Sequence, residues 1–309
     1  MEYVHYSVMK DEVKQYLIPP TDRPSVMVDC TTGEGGHTHM MLSEYPLLSV
    51  YGLDCDTHIQ EKAKNRMKEF GDRFIPVHTW FNDYFDNYQG EPIDLVLFDL
   101  GISIFHYAES ERGFSFKKEE KLDMRLNDQS PLTASDIVNK YKEEDIANII
   151  YKYGEERYSR RIARAICESR AEKEIVNAND LEDIIFKAVP AAYKHGRIHP
   201  ATRTFQALRI EVNKELDRIE PALRGAVKAL RPGGRIAVIT FHSLEDRIVK
   251  WTFKDLARKC TCPPEQMRCT CGGKAAIKII NKKPIVATDE ENKLNPPSRS
   301  AKLRIIEKL

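Results

Sequence analysis

The stretch Val28-Asp29-Cys30-Thr31-Thr32-Gly33-Glu34-Gly35-Gly36-His37 decides how this chain folds. An apolar, β-prone run from Ser25 to Val28 enters it, and three glycines crowd the turn that follows. Asp54 stands nineteen residues beyond Gly35, at the end of a second β-prone run, Val50-Tyr51-Gly52-Leu53-Asp54. In an open α/β sheet, glycines at the first turn let the backbone approach a ligand closely. An acid ending the second strand can accept hydrogen bonds from both ribose hydroxyls. The spacing therefore predicts a pocket for a ribose-bearing ligand, although a tight strand-to-helix turn with no ligand has the same local pattern.

The ligand is not read as a dinucleotide. Gly33-Glu34-Gly35-Gly36-His37-Thr38 ends on threonine where the dinucleotide fingerprint has its third glycine. A pyrophosphate prefers an uncharged turn at a helix N-terminus, whereas Glu34 places a carboxylate in this one. That charge suits the sulfonium and ammonium groups of S-adenosylmethionine. A nicotinamide-dependent oxidoreductase is the rival from another enzyme class, and a noncatalytic RNA-binding or zinc-organised assembly factor with a degenerate pocket is the rival outside enzymes.

Outward from the turn, strand signals at 25–29, 48–54, 74–77 and 93–99 alternate with amphipathic stretches such as Thr57 to Phe70. This alternation implies a parallel sheet with helices on both faces. From about 107 to 198 the pattern is helical, with segments at Ala134 to Tyr153, Glu155 to Arg170 and Asn179 to Val189. The sheet pattern resumes with a long helix, Ala201 to Leu230, the turn Arg231-Pro232-Gly233-Gly234 and a buried strand from Arg235 to Phe241. Two more β-prone runs, Ala276 to Thr288 and Ser300 to Glu307, bring the strand count to seven. The reading is an α/β fold, a seven-stranded Rossmann-like sheet with an inserted all-helical domain, divided as 1–106, 107–198 and 199–309.

The chain has 309 residues, 41% apolar and 31% charged, ordinary values for a soluble protein of one or two domains. Met1 to Pro20 offers no signal-peptide core and no run could span a bilayer, so a cytoplasmic protein without membrane contact is expected. Overall charge is near zero, but residues 250 to 309 hold fourteen Lys or Arg against six Asp or Glu. This local excess points to an anionic partner, nucleic acid first, with a solvated basic tail as the alternative. Seven cysteines, an odd number, argue against a disulfide framework. Cys260, Cys262, Cys269 and Cys271 form a C-x-C, C-x-C cluster whose pairs are closer than the usual zinc spacing, so no metal is assigned.

Chemistry is expected where the run Val96-Leu97-Phe98-Asp99-Leu100-Gly101-Ile102-Ser103 delivers an acid, a flexible backbone and a hydroxyl to the carboxyl edge of the sheet. An exocyclic base amine has its lone pair delocalised into the ring and needs hydrogen-bond acceptors to localise it. Asp99 and the carbonyl of Leu100 can be those acceptors, or Asp99 can simply cap the next turn.

On these residues the chain resembles the bacterial 16S rRNA (cytosine-N4)-methyltransferase family, which uses S-adenosylmethionine. The resemblance runs through His5-Tyr6-Ser7-Val8-Met9, the glycine turn, Asp99-Leu100-Gly101-Ile102-Ser103, the ERGFSF run from Glu111 and the LDMR run from Leu122. It continues through YGEERYSRRIARAI from Tyr153, HPATRTFQALRIEVNKEL from His199, GGRIAVITFHSLEDRIVK from Gly233 and RSAKLRI from Arg299. It implies a class I methyltransferase sheet, with Gly35, Gly36 and His37 at the methionine end of the cofactor, Asp54 on its ribose, Phe81 near adenine and Asp99 facing the reactive centre. Two positions depart from the family pattern. The Ser-Ser-Pro-Gln that usually follows the DLG motif reads Ser103-Ile104-Phe105-His106 here, so His106 takes the glutamine's place beside cofactor or target. The usual Asp-Gly-Thr reads Asp29-Cys30-Thr31.

The implied substrate is 16S rRNA or the small ribosomal subunit, and a homodimer is left open. Arg157, Arg160, Arg161 and Arg164 recur at i, i+3, i+4 and i+7, one helical face suited to phosphates unless Glu155, Glu156 and Glu168 pair with them. Arg197, His199 and Arg203, with Arg299, Lys302 and Arg304, extend that footprint. Phe105, Tyr107, Phe114 and Phe116 are candidates to stack a base drawn out of its helix, or are core aromatics. Asp99 is assigned to orient the amine and accept its proton, with Ser103, His106 and His242 as helpers and no covalent nucleophile.

Overall fold

A computed structural model describes residues 7–196, 198–260, 262, 265–268, 270 and 273–309. The chain divides into two compact units, one of residues 1–101 with 216–309 and one of residues 102–215.

The first unit is built on a sheet of eight strands: β1 (Ser25–Asp29), β2 (Leu48–Asp54), β3 (Phe74–His78), β4 (Ile93–Asp99), β5 (Leu230–Thr240), β6 (Ile277–Ile279), β7 (Ile285–Val286) and β8 (Lys302–Lys308). Their order is β3-β2-β1-β4-β5-β8-β6, with β7 also pairing β8. The five strands from β3 to β5 run parallel, and β8 is antiparallel to β5, β6 and β7. The chain winds outward from β1 to β3 and then returns to β4 on the other side of β1. The switch point between β1 and β4 is where such sheets bind ligands.

Two-residue alternation along buried strands feeds two cores. Leu95, Leu97, Ala237 and Ile239 pack on one face with Met40 and Met41 of helix Gly36–Glu44 and Val13 of helix Lys10–Tyr16. Val96, Phe98, Ile236 and Val238 pack on the other with Ile219, Leu223 and Ala226 of helix Glu215–Ala229 and Val249 and Phe253 of helix Ser243–Leu256.

The expected run 276–288 is two short strands rather than one, so the described residues carry eight strands where seven were expected. Asn281 interrupts it. Its side-chain amide donates to the Leu303 carbonyl at 2.8 Å and its Oδ1 accepts from Ile305 N at 2.7 Å, so a side chain takes over the pairing with β8. Pro284, which has no N–H to donate to a ladder, follows before β7 begins.

The second unit is helical, with Ile104–Ala108, Ala134–Lys140, Glu143–Gly154, Ser159–Glu172, Ala178–Ala188, Ala191–Lys194 and Pro200–Asn213. Ile146 and Ile150, Ile162 and Ile166, and Leu181 and Ile185 recur at i and i+4 and are buried. The continuous helix expected from 201 to 230 is two helices, because Lys214 adopts a left-handed conformation at φ 50°. Asn213 fixes the break: its Oδ1 accepts from Leu126 N, and its amide donates to the carbonyls of Met124 and Arg209. Arg209 pairs through two nitrogens with Glu215 just past the break. Helix Pro200–Asn213 therefore lies in the helical unit, not with the sheet as the 198/199 boundary expected. It packs so closely on helix Glu143–Gly154 that a Cβ on Gly154 would stand 2.5 Å from the Arg203 carbonyl oxygen.

Candidate active site

The glycine turn opens at the carboxyl end of β1. Gly33 (φ 54°) and Gly35 (φ 78°) are left-handed, and Gly35 caps helix Gly36–Glu44. A Cβ on Gly36 would come within 2.0 Å of Ser7 Oγ, so the segment entering helix Lys10–Tyr16 lies directly against the turn. That segment is pinned by Met9 N, which donates to Glu291 Oε1 at 2.6 Å across 282 residues of sequence. Burial pushes the Glu291 carboxyl above its usual range.

Asp54 ends β2 beside this turn. Its Oδ2 accepts from Gly33 N and its Oδ1 from Asp56 N, both at 2.9 Å, so its orientation is fixed by the backbone around it. Phe81 opens the short helix Phe81–Asp86 after β3 and meets Phe98 edge-on at 5.6 Å, half-buried against the second core.

Across the switch point, Asp99 ends β4. Its backbone N–H donates to Thr31 Oγ1 at 2.7 Å, tying the ends of β4 and β1 together. His37 Nε2 stands 3.5 Å from Asp99 Oδ2, at ion-pair distance but without hydrogen-bond alignment. Among the described residues, Asp99 Oδ1 and both ring nitrogens of His37 are buried with no hydrogen-bond partner. Native interiors satisfy nearly all such atoms, so these orphans converging on the rim mark a place that a polar ligand completes. A cationic methionine end fits them, and the left-handed glycines fit a backbone that must pass close to it.

Asp29, which the motif reading passed over, is the hub behind this surface. It is 1% exposed, accepts from Thr38 Oγ1 at 2.7 Å and from Thr31 N at 3.3 Å, and so links the glycine-turn helix to the loop that holds Asp99. Burial pushes its carboxyl up to about 6, against the opposing pull of the Thr38 hydrogen bond and nearby His37. Burial likewise pushes the thiols of Cys30 and Cys55 well up, so neither is a thiolate poised for attack. His242 caps helix Ser243–Leu256 in a reciprocal box with the buried Glu245, a structural use of the ring.

In the helical unit, Ser103 is the N-cap of helix Ile104–Ala108, its Oγ accepting from Phe105 N at 3.2 Å. His106 is 5% exposed, its ring 5.3 Å from Phe114 and 5.5 Å from Phe105. Phe114 itself is buried, and Phe116 stacks on His199 at 4.7 Å, so the four aromatics do not form one exposed platform. Only Tyr107 among them is exposed, and its hydroxyl accepts from Arg209.

Arg157, Arg160, Arg161 and Arg164 are all exposed along helix Ser159–Glu172 and its entry. Arg157 stacks over the rings of Tyr158 and Tyr193, and Arg164 reaches Glu143 at 3.8 Å. Among the described residues no carboxylate pairs with Arg160 or Arg161. Glu156 does not neutralise the stripe: fully buried, it accepts from Tyr158 N and from the Tyr193 hydroxyl, with Arg203 beside it at 3.8 Å. Arg197, Cys269 and Cys271 lie outside the described residues, and no metal-ligand cluster occurs among those described.

An open α/β sheet with a glycine turn after β1 and acids ending β2 and β4 around its switch point is the arrangement in which such folds bind a nucleotide-type ligand. The sequence profile of the MraW methylase family matches residues 2–309, and the chain belongs to that family. It is 52% identical to a ribosomal RNA small subunit methyltransferase H of Treponema denticola, over all of this chain and 98% of that one. Proteins of the same name from Geobacter sulfurreducens and Clostridium botulinum (strain 657 / Type Ba4) are 46% and 44% identical, each covering both chains completely. Among solved structures, an rRNA methylase from Streptococcus thermophilus aligns over 97% of this chain and 93% of its own, with a TM-score of 0.42 and 12% identity. The oxidoreductase and noncatalytic alternatives give way to a methyltransferase. No helix among the described residues is long and apolar enough to cross a membrane.

Proposed function

We infer that this enzyme methylates the exocyclic N4 amine of a cytosine in small-subunit (16S) ribosomal RNA, in the cytoplasm. The observation that carries the reading is the Asp99 carboxylate, an acceptor with an orphaned oxygen at the carboxyl end of β4, on a residue whose backbone N–H is anchored to the Thr31 hydroxyl. When bound, S-adenosylmethionine supplies an electrophilic methyl group on a sulfonium. Gly35, Gly36 and His37 hold its methionine end, Asp54 its ribose, and Phe81 the adenine side.

Asp99 accepts a hydrogen bond from the amine, concentrates the nitrogen lone pair toward the methyl, and takes up the proton released, directly or through water. Holding both reactants about 3 to 3.5 Å apart accounts for most of the acceleration. Ser103 and His106 act as supports, the first by capping its helix and the second by packing against Phe105 and Phe114. Arg157, Arg160, Arg161, Arg164 and Arg203 take the RNA backbone, because phosphate contacts position a substrate without reading its bases.

Unmodified small-subunit particles and their naked RNA, incubated with the enzyme and methyl-labelled S-adenosylmethionine, test the reading. Label recovered as N4-methylcytidine is the expected result. Label on another nucleoside, or none, overturns it.

A further inference from the structure

Helix Ser243–Leu256 buries Val249 and Phe253 in the second core. At 3.6 residues per turn, Arg247, Lys250, Trp251 and Lys254 fall at i, i+3, i+4 and i+7 within one sector about 100° wide. All four are exposed, Trp251 by 51%. The lysine ammonium groups stand 5.9 and 4.8 Å from the centre of the Trp251 ring.

The acids of this helix are mostly engaged elsewhere. Glu245 is buried in the cap, Asp246 is held by Arg304 at 2.7 Å and Lys302 at 3.7 Å, and Asp255 by Arg224 at 2.7 Å and Arg258 at 3.7 Å. Among the described residues no carboxylate pairs with Lys250 or Lys254. The stripe opens the segment, residues 250 to 309, that carries fourteen basic against six acidic residues. An exposed indole flanked by unpaired ammonium groups suits single-stranded nucleic acid, in which each base has a face to stack and each linkage a phosphate. An acidic peptide has no matching ring, and one indole on a helix whose other face is buried offers a bilayer little apolar area.

We propose that this face is a second RNA contact, on the sheet-bearing unit, where Trp251 stacks an unpaired base of the substrate and Lys250 and Lys254 hold the adjoining phosphates. The proposal rests on the reading of the substrate as ribosomal RNA.

Fluorescence anisotropy of a labelled, unstructured oligoribonucleotide on the intact chain, repeated over a range of salt, is the test. Trp251→Ala weakens binding roughly tenfold at fixed salt and leaves the salt slope alone. The double variant Lys250→Glu, Lys254→Glu lowers the slope of log affinity against log salt by about 1.4, near 0.7 per lost phosphate contact. Cofactor affinity stays at the wild-type value in both. Variants that bind RNA like the wild type overturn the proposal, as does polyglutamate or an anionic phosphatidylserine vesicle that binds more tightly than RNA and loses that binding in the Trp251 variant. Label transfer by the wild type is scored separately: its absence removes the substrate reading, while transfer with unaltered variant binding removes only this surface.

Discussion

Asp29→Asn isolates the electrostatic cost of the hub behind the active rim. The wild-type carboxyl has its folded-state value near 6, against about 3.9 in an unfolded chain, and its burial is the main cause. For an acid whose folded value is raised, the protonated form is the better fit to the folded state. The associated stability is fully present below pH 3.9 and is lost as pH climbs through 6. A shift of about two pKa units corresponds to roughly 3 kcal/mol, of which about 2 kcal/mol falls between pH 4.5 and 7.5. Asparagine has the same shape and no charge. Its oxygen can accept from Thr31 N and its amide can donate to Thr38 Oγ1, so the two bonds that link the rim survive. Urea unfolding of wild type and variant at pH 4.5, 5.5, 6.5 and 7.5 measures the difference directly. The variant should gain on the wild type by about 2 kcal/mol across that series, with most of the gain complete by pH 6.5. A difference that stays constant with pH would falsify the assignment of a buried, costly charge at this position.

Asp99→Ala should abolish methylation while cofactor affinity, measured by calorimetry, stays within about tenfold of wild type, since the backbone N–H that meets Thr31 remains. Unchanged turnover removes Asp99 from the chemistry. Asp54→Ala should weaken cofactor binding by about 1 to 3 kcal/mol, because the variant loses the ribose acceptor and leaves Gly33 N without its partner; equal affinities in equilibrium dialysis would contradict that role. Gly154→Ala should lower stability by roughly 1 to 3 kcal/mol, because the added Cβ would stand 2.5 Å from the Arg203 carbonyl oxygen, a backbone atom that cannot rotate away. A Gly154→Ala variant with the thermal midpoint of wild type would mean that the two helices do not pack this closely. Arg160→Glu with Arg161→Glu should weaken RNA binding and flatten its salt dependence by about 1.4, leaving cofactor affinity alone; an unaltered slope excludes both side chains from the phosphates.

The parallel strands were readable because they are continuous apolar runs ended by glycine turns and acids, and β1, β2 and β4 begin and end where those signals lie. Breaks made by side chains were not. Nothing local to Lys214 announces a left-handed residue inside a pattern that reads as one long helix, since the cause is Asn213 reaching Met124 and Leu126 almost ninety residues away. Asn281 splitting a β-prone run is the same kind of event. The places of Asp54 and Asp99 at the sheet rim were legible because each ends an apolar run that forms a strand. Asp29 looked like the first letter of a turn, and its role appears only when Thr31 and Thr38 fold back on it. The clasp between Met9 and Glu291 has no sequence signature at all. The aromatics from Phe105 to Phe116 were ambiguous for the opposite reason: their type fits both stacking and core, and burial of Phe114 decides for core there.

The place of β8 bears on how the protein is made. It fills an interior position between β5 and β6, yet ribosomes synthesise it after the other seven described strands. Until it emerges from the exit tunnel, β5 is an unpaired border with its hydrogen-bonding groups open to other chains. The nascent methyltransferase should therefore lean on chaperones late in translation, and messages interrupted before codon 302 should yield insoluble product rather than weakly active enzyme.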